Sequence, residues 1–268
     1  MPPPCDPTSL HQAFEASRPL NWGDSLPSTA EIARLYGDRA TRESLQLLEH
    51  ATTVEPTVTS QFLAALPPGT TPYQLDRRVK SPDSLARKIV DWRAADSRRP
   101  IDDLLRYTVL TESPDELVAA ARRTADALND HDWRVRTAMH SYTDGSRYKG
   151  LHAGMTIPGC PRIEVQFHSV ASAQVKEATT RWYEIERSST ATPDERAEAR
   201  RRCAEASEVL KPPRGIDGLT QLAGARVAVN NYSDSRQDPA ATRRRAAPRG
   251  QHMPRSTTLD KKTDGIAR

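Results

Sequence analysis

Cysteine is scarce in this chain. Three occur in 268 residues, Cys5, Cys160 and Cys203, and their spacing suits neither a metal cage nor a disulfide framework. So odd and sparse a set belongs in a reducing compartment. Long apolar runs are missing as well: no stretch approaches the ~20 residues needed to cross a bilayer, so no membrane partner is expected. The opening Met1-Pro-Pro-Pro-Cys5-Asp6 has no basic segment leading into an apolar one; no signal peptide is visible, and a cytoplasmic location is expected. Nor does one sign of charge dominate. The 39 Lys and Arg against 35 Asp and Glu leave a net +4, too little for a polycation, so any affinity for anions must come from local clusters.

Proline is plentiful instead, at 21 residues, and the mean hydropathy is −0.71. Apolar residues concentrate between about Tyr73 and Leu210, enough chain for one core with tails on either side. Residues 1–27 read as a flexible lead-in and 28–66 as a helical segment. Within it, Ser28 with Glu31 forms a capping-box pattern ahead of Ile32 and Leu35. Residues 67–212 carry the organised domain and its C-terminal helices, and 213–268 a loose basic tail containing Arg243-Arg244-Arg245, expected to be disordered. In the organised part, Ser81-Pro82 opens a helix through Leu85, Ile89 and Trp92. Leu104 to Leu110 is a β-prone run, and Ser113-Pro114 with Glu116 opens a second helix. Trp133 to Tyr142 alternates like a strand. Leu151 to Ile157 and Arg162 to His168 form a hairpin across Pro158-Gly159-Cys160-Pro161. Helices follow from about Ala171 to Arg187 and from Pro193 to Leu210. This order predicts an α+β fold, a mixed β-sheet flanked by helices.

Three segments carry residues suited to chemistry. In the first, Arg78 and Lys80 are two apart and share a side if the segment is extended, while Ser84 and Lys88 are one helical turn apart. With the unpaired N–H groups of a helix start, they would cradle a polyphosphate; the plainer reading is a solvated basic edge on an amphipathic helix. In the second, Arg162 to His168, the period of two sends Ile163, Val165 and Phe167 to the core and leaves Glu164, Gln166 and His168 on a polar face. If Asp103, at the entrance to the preceding strand, lies beside Glu164, the pair could hold Mg²⁺; otherwise Asp103 is a turn residue and the face is merely solvated. The third is Tyr148-Lys149-Gly150-Leu151-His152, where a tyrosine beside a glycine turn can offer its ring to a nucleobase and His152 can bond a phosphate or ribose.

Taken in order, Arg78, Lys80, Ser84 and Lys88, then Ile101-Asp102-Asp103-Leu104, then Tyr148 and His152, then Glu164-Val165-Gln166 resemble the RelA/SpoT family of alarmone synthetases over roughly Tyr73 to Arg187. The resemblance implies a nucleotidyltransferase-like synthetase core. It implies an ATP site of Arg78, Lys80, Ser84 and Lys88, magnesium held by Asp103 and Glu164 as the catalytic carboxylates, and acceptor contacts from Tyr148, His152 and Gln166. The implied reaction moves pyrophosphate from ATP to a ribose 3′-hydroxyl of GDP or GTP. Alternatives are an adenosine nucleotide or the 3′ end of tRNA, as in toxins of the same fold, and a non-catalytic nucleotide- or RNA-binding module. An unregulated activity implies an antitoxin as partner, and a homo-oligomer is the other partner expected. Four departures stand out. Asp83 replaces an aromatic residue, His168 replaces an arginine, Lys149-Gly150 replaces a polar residue and serine, and Arg106 comes sooner after Asp103. They bear on the acceptor more than on the donor.

Overall fold

The computed structural model describes residues 5–94, 101–188 and 190–232. In chain order these form α1 (Pro7–Glu15), α2 (Thr29–Tyr36), α3 (Asp38–Ala64), β1 (Thr70–Pro72), α4 (Pro82–Ala94), β2 (Leu105–Thr111), α5 (Leu117–Asn129), β3 (Arg134–His140), β4 (Leu151–Thr156), β5 (Ile163–Ser169), α6 (Val170–Arg187), α7 (Pro193–Glu208), β6 (Gln221–Leu222) and β7 (Ala225–Val229). The strands make one mixed sheet in the order β1-β2-β5-β4-β3-β7-β6, an α+β arrangement.

β2 and β5 run parallel, with Arg106 opposite Glu164, Thr108 opposite Gln166 and Leu110 opposite His168. β4 returns antiparallel to β5 as the expected hairpin, setting His152 against Gln166 and Gly154 against Glu164. Because side chains alternate along a strand, the intervening residues Leu105, Tyr107, Val109, Leu151, Ala153, Met155, Ile163, Val165 and Phe167 share the other face. All are at most 1 % exposed. On that face Phe62 of α3 stacks on Tyr107 with ring centroids 4.6 Å apart, and Trp133 Nε1 donates to Gln61 Oε1 at 2.9 Å. Fully burying each large apolar side chain contributes about 1.5–3 kcal/mol, so this face holds the sheet against its helices and frees the other for function. The Ser28–Glu31 capping box forms as expected. Ser113, by contrast, caps Asp115 N in a 3-10 turn, Pro114–Glu116, ahead of α5.

Two expectations about the ends are corrected. The lead-in folds: α1 buries Leu10 and Phe14, Leu20 is buried after it, and Trp22 Nε1 donates to Val79 O at 2.9 Å. A nine-residue helix carries too few apolar positions to show a period, and its partner α3 lies far along the chain. Past residue 213 the chain also returns to the sheet. β7 pairs parallel with β3, Ala138 opposite Val227; Ala-Arg-Val-Ala-Val is too short to read as a strand without the edge that receives it. The basic tail from residue 233 on, with Arg243, Arg244 and Arg245, lies outside the described residues.

Candidate active site

The polar face of β2, β5 and β4 is organised around Glu164. Its Oε1 is 2.9 Å from His152 Nδ1, and its Oε2 accepts from Gln166 Nε2 at 2.9 Å. Burial alone would raise this carboxyl's pKa, but the bond and charge of His152, with Arg106 and Gln166, outweigh burial and hold it down to about 2. Beyond His152 the bonds continue. Its Nε2 is 2.6 Å from Tyr148 Oη, Tyr148 Oη is 2.9 Å from His168 Nε2, and His168 Nδ1 is 3.0 Å from Ser172 Oγ. Burial above all keeps Tyr148 protonated well beyond its usual range and keeps His168 neutral. Ser172, His168, Tyr148 and His152 thus lead bond by bond to the carboxylate.

Glycines make room for this arrangement. A Cβ on Gly154, beside Glu164, would fall 2.5 Å from Thr137 Oγ1, and one on Gly150 would fall 2.7 Å from Tyr148 Oη. The space expected to leave the Tyr148 ring open over the turn is therefore filled by its own hydroxyl. The ring is held edge-on by His152, His168 and Tyr232, with centroids 5.3, 5.8 and 5.9 Å away. Gln166 is corrected in the same way. It is 4 % exposed, and its amide bonds Glu164 on one side and Lys176 on the other, so it spaces charges rather than presenting a free edge to a base.

A second group lies at the start of α4. Pro82 is the first helical residue, with Ser84 in the first turn and Lys88 one turn on. Lys88 Nζ donates to Asp102 Oδ1 at 2.7 Å and Asp103 Oδ1 at 2.6 Å, and Lys80 Nζ lies 2.9 Å from Asp103 Oδ2. Burial opposes ionisation of Asp103, yet Lys80 and Lys88 together lower its pKa. Burial lowers that of Lys80 against the pull of Asp103. Lys88 is raised, because Asp103 and Asp102 prevail over burial. Lys80, Ser84, Lys88 and Asp103 thus gather at a helix N-terminus, where anions are favoured.

Arg78 does not join them. It closes a 3-10 turn at φ −66°, ψ −22°, so the segment is not extended there and the shared side with Lys80 is lost. Its side chain is fully buried, 2.5 Å from Glu55 of α3. It donates as well to the carbonyls of Phe14, Arg18 and Pro19 at 3.3, 3.2 and 2.7 Å. The residue expected in the ATP site instead fastens the N-terminal segment to α3.

Two cations were missed. Arg106, half-buried, stands opposite Glu164 in register, and its charge acts on Lys80, Tyr148, Glu164, His168 and Lys176. The signal was present: a lone arginine on the outward side of an otherwise buried strand. Lys176, on α6, reaches Gln166 Oε1 at 2.9 Å; nothing in its local sequence distinguishes it from other helix lysines.

Among the described residues no three His, Cys, Asp or Glu side chains gather as a metal cage. Mg²⁺ needs no such cage, being held by one or two carboxylates with substrate phosphates completing the shell. Asp103 and Glu164 fit that donor set, although each now has both oxygens bonded within the protein.

No protein-family model and no curated protein sequence matches this chain. Among solved structures it is similar to small alarmone synthetase 2 from Bacillus subtilis, at 14% identity over 61% of this chain and 91% of that one with a TM-score of 0.41. It is similar also to the type VI effector Tas1 in complex with its immunity protein, at 16% identity, 64% and 95% coverage and a TM-score of 0.36. A third is small alarmone synthetase 1 from Bacillus subtilis bound to its product pppGpp, at 13% identity, 60% and 88% coverage and a TM-score of 0.37.

Proposed function

We propose that the protein transfers pyrophosphate from ATP to a ribose 3′-hydroxyl of a purine nucleotide, GDP or GTP first among them. The observation that carries this reading is a division of one surface into two poles. A helix N-terminus with Lys80, Ser84, Lys88 and Asp103 suits a polyphosphate, and a partly buried carboxylate, Glu164, is held by His152, with the charge of Arg106 acting on both Lys80 and Glu164. The acceptor oxygen forms a bond to the β-phosphorus, the bond from that phosphorus to the oxygen bridging to the α-phosphorus breaks, and AMP leaves with the electron pair.

Asp103, with both oxygens held by ammonium groups, anchors charge and is a poor proton acceptor. Glu164 takes the hydroxyl proton. Its acidity in the free protein is set in part by Arg106; an arriving phosphate draws on that charge and raises the carboxylate's affinity for the proton. Asp103 and Glu164 would hold Mg²⁺, which offsets charge on the transferring group. Lys80 and Lys88, released from Asp103, hold the triphosphate, so the rate gain comes from positioning and electrostatics.

The test incubates the protein with γ-labelled ATP, Mg²⁺ and, in turn, GDP, GTP, an adenosine nucleotide and tRNA. Label transferred to a nucleotide supports the reading. Label on tRNA makes the protein a toxin-like member of the same chemistry. Binding of ATP with no transfer to any acceptor makes it a nucleotide-binding module.

A further inference from the structure

Lys80 and Asp103 are brought together by a short length of backbone. Lys80 N donates to Leu104 O at 3.0 Å and Arg106 N to Arg78 O at 2.8 Å, an isolated antiparallel bridge that sets Val79 opposite Leu105. The amide and carbonyl of a residue bracketed in this way point away from the partner strand, so the Val79 carbonyl takes no bond from β2. Val79 is 2 % exposed, and a buried carbonyl needs a donor. The donor comes from the N-terminal segment: Trp22 Nε1 lies 2.9 Å from Val79 O. The same segment lines the rest of the stretch. Asn21 N donates to Asp76 O at 2.6 Å, and the Arg78 guanidinium holds the carbonyls of Phe14, Arg18 and Pro19. Phe14 and His11 meet the Trp22 ring edge-on, with centroids 5.9 and 5.3 Å away. From Asp76 to Lys80 the chain is therefore held on one side by the start of β2 and on the other by residues 14–22.

We propose that Trp22 is a positioning residue of the α4 pole, setting Lys80 for the triphosphate from outside the site. This rests on the reading above, in which Lys80 holds ATP. The Val79 carbonyl and the Lys80 N–H belong to one peptide unit, which is planar and stiff. Trp22 holds that unit by its oxygen and Leu104 holds it by its nitrogen, so the plane cannot turn without breaking a bond on one side. Once the plane is fixed, the Lys80 side chain starts from a set direction and meets Asp103 at 2.9 Å. The indole acts through the backbone and touches no reacting atom. The other pole has no such dependence: His152, Glu164 and Gln166 lie on β4 and β5 and bond one another without help from residues 5–22. Loss of the indole N–H should therefore be felt by ATP and not by the acceptor.

The experiment compares wild type with Trp22→Phe, which keeps an aromatic ring against Phe14 and removes the N–H. Binding of a non-hydrolysable ATP analogue and of GDP is measured by calorimetry, and exchange of the Lys80 and Arg106 amide hydrogens by NMR. KM for each substrate and kcat follow from transfer of label from γ-labelled ATP. Trp22→Phe should bind the analogue about fivefold more weakly and raise the KM for ATP by the same factor, the order of one neutral hydrogen bond. GDP binding and kcat at saturating ATP should hold, and the two amides should exchange faster. Three results overturn the proposal: analogue binding unchanged in Trp22→Phe, unchanged exchange at both amides, or equal losses for ATP and GDP with a lower melting temperature, as a merely structural tryptophan would give. Trp22-dependent analogue binding with no transfer to any acceptor would leave the positioning role standing and sink the transfer reading. A wild type that does not bind the analogue would sink both.

Discussion

The two poles of the polar face are built on opposite principles. At α4, charge meets charge: Lys80, Lys88, Asp102 and Asp103 form ion pairs, partly buried at Asp103 and exposed at Asp102. A polyphosphate can take the lysines because it brings anionic oxygens in place of the carboxylates. At β4 and β5 a run of hydrogen-bonded groups, Ser172, His168, Tyr148 and His152, converges on one carboxylate, and each atom there is costly to leave unpaired. The first pole is suited to capture and release, the second to holding one geometry. A site that must both bind a flexible triphosphate and aim a hydroxyl needs each kind.

The comparison breaks first at Arg78. The structure excludes it from the labile pole and places it in a fully buried pair with Glu55. Arg78→Ala should therefore cost about 3–5 kcal/mol of stability, because it strands a buried carboxylate; denaturant unfolding measures this. Unchanged stability with a raised KM for ATP would return Arg78 to the donor site. Next in size is Glu164→Gln, which should lower turnover by at least ~100-fold, since the amide supplies neither charge nor base, while binding of a non-hydrolysable ATP analogue persists. Full turnover in this variant would remove Glu164 from the chemistry.

Gly150→Ala tests the rigid pole directly. The new methyl would meet Tyr148 Oη at 2.7 Å and His152 Nε2 at 3.0 Å, and overpacking of this kind costs about 1–3 kcal/mol. The melting temperature should fall and the acceptor's KM rise, with ATP's KM nearly constant. Equal effects on both substrates would mean that the poles are not separate. The smallest effect is one of pH. Lys176 is charged below its pKa of about 8 and neutral above it, so acceptor affinity should be full below that value and decline as pH rises through it. Arg106, Glu164 and Glu177 are the charged groups around it, and Glu164, held down to about 2, stays ionised over that range. A Lys176→Arg enzyme should show a flat acceptor profile; a decline that persists there assigns the titration to another group.

Much of this was written locally. Period-two alternation in β5 fixes which of its side chains meet the core and sets Glu164, Gln166 and His168 on one polar face. Ser81-Pro82 marked the start of α4, and Lys88 follows Ser84 by one turn from helix geometry alone. Such features depend on neighbours within a few residues, which is why sequence determines them. What only the tertiary structure decided depends on partners far along the chain. Arg78 could have served a phosphate or a buried glutamate equally well, and the choice came from Glu55 and from carbonyls of an N-terminal segment that looked unstructured. Tyr148 turned inward because His152 and His168 arrive from two different strands to take its hydroxyl. Arg106 and Lys176 became neighbours because β5 runs parallel to β2 and leads straight into α6. Local pattern sets the face a side chain takes; long-range packing decides which charge it meets there, because electrostatic pairing depends on distance through space and not along the chain.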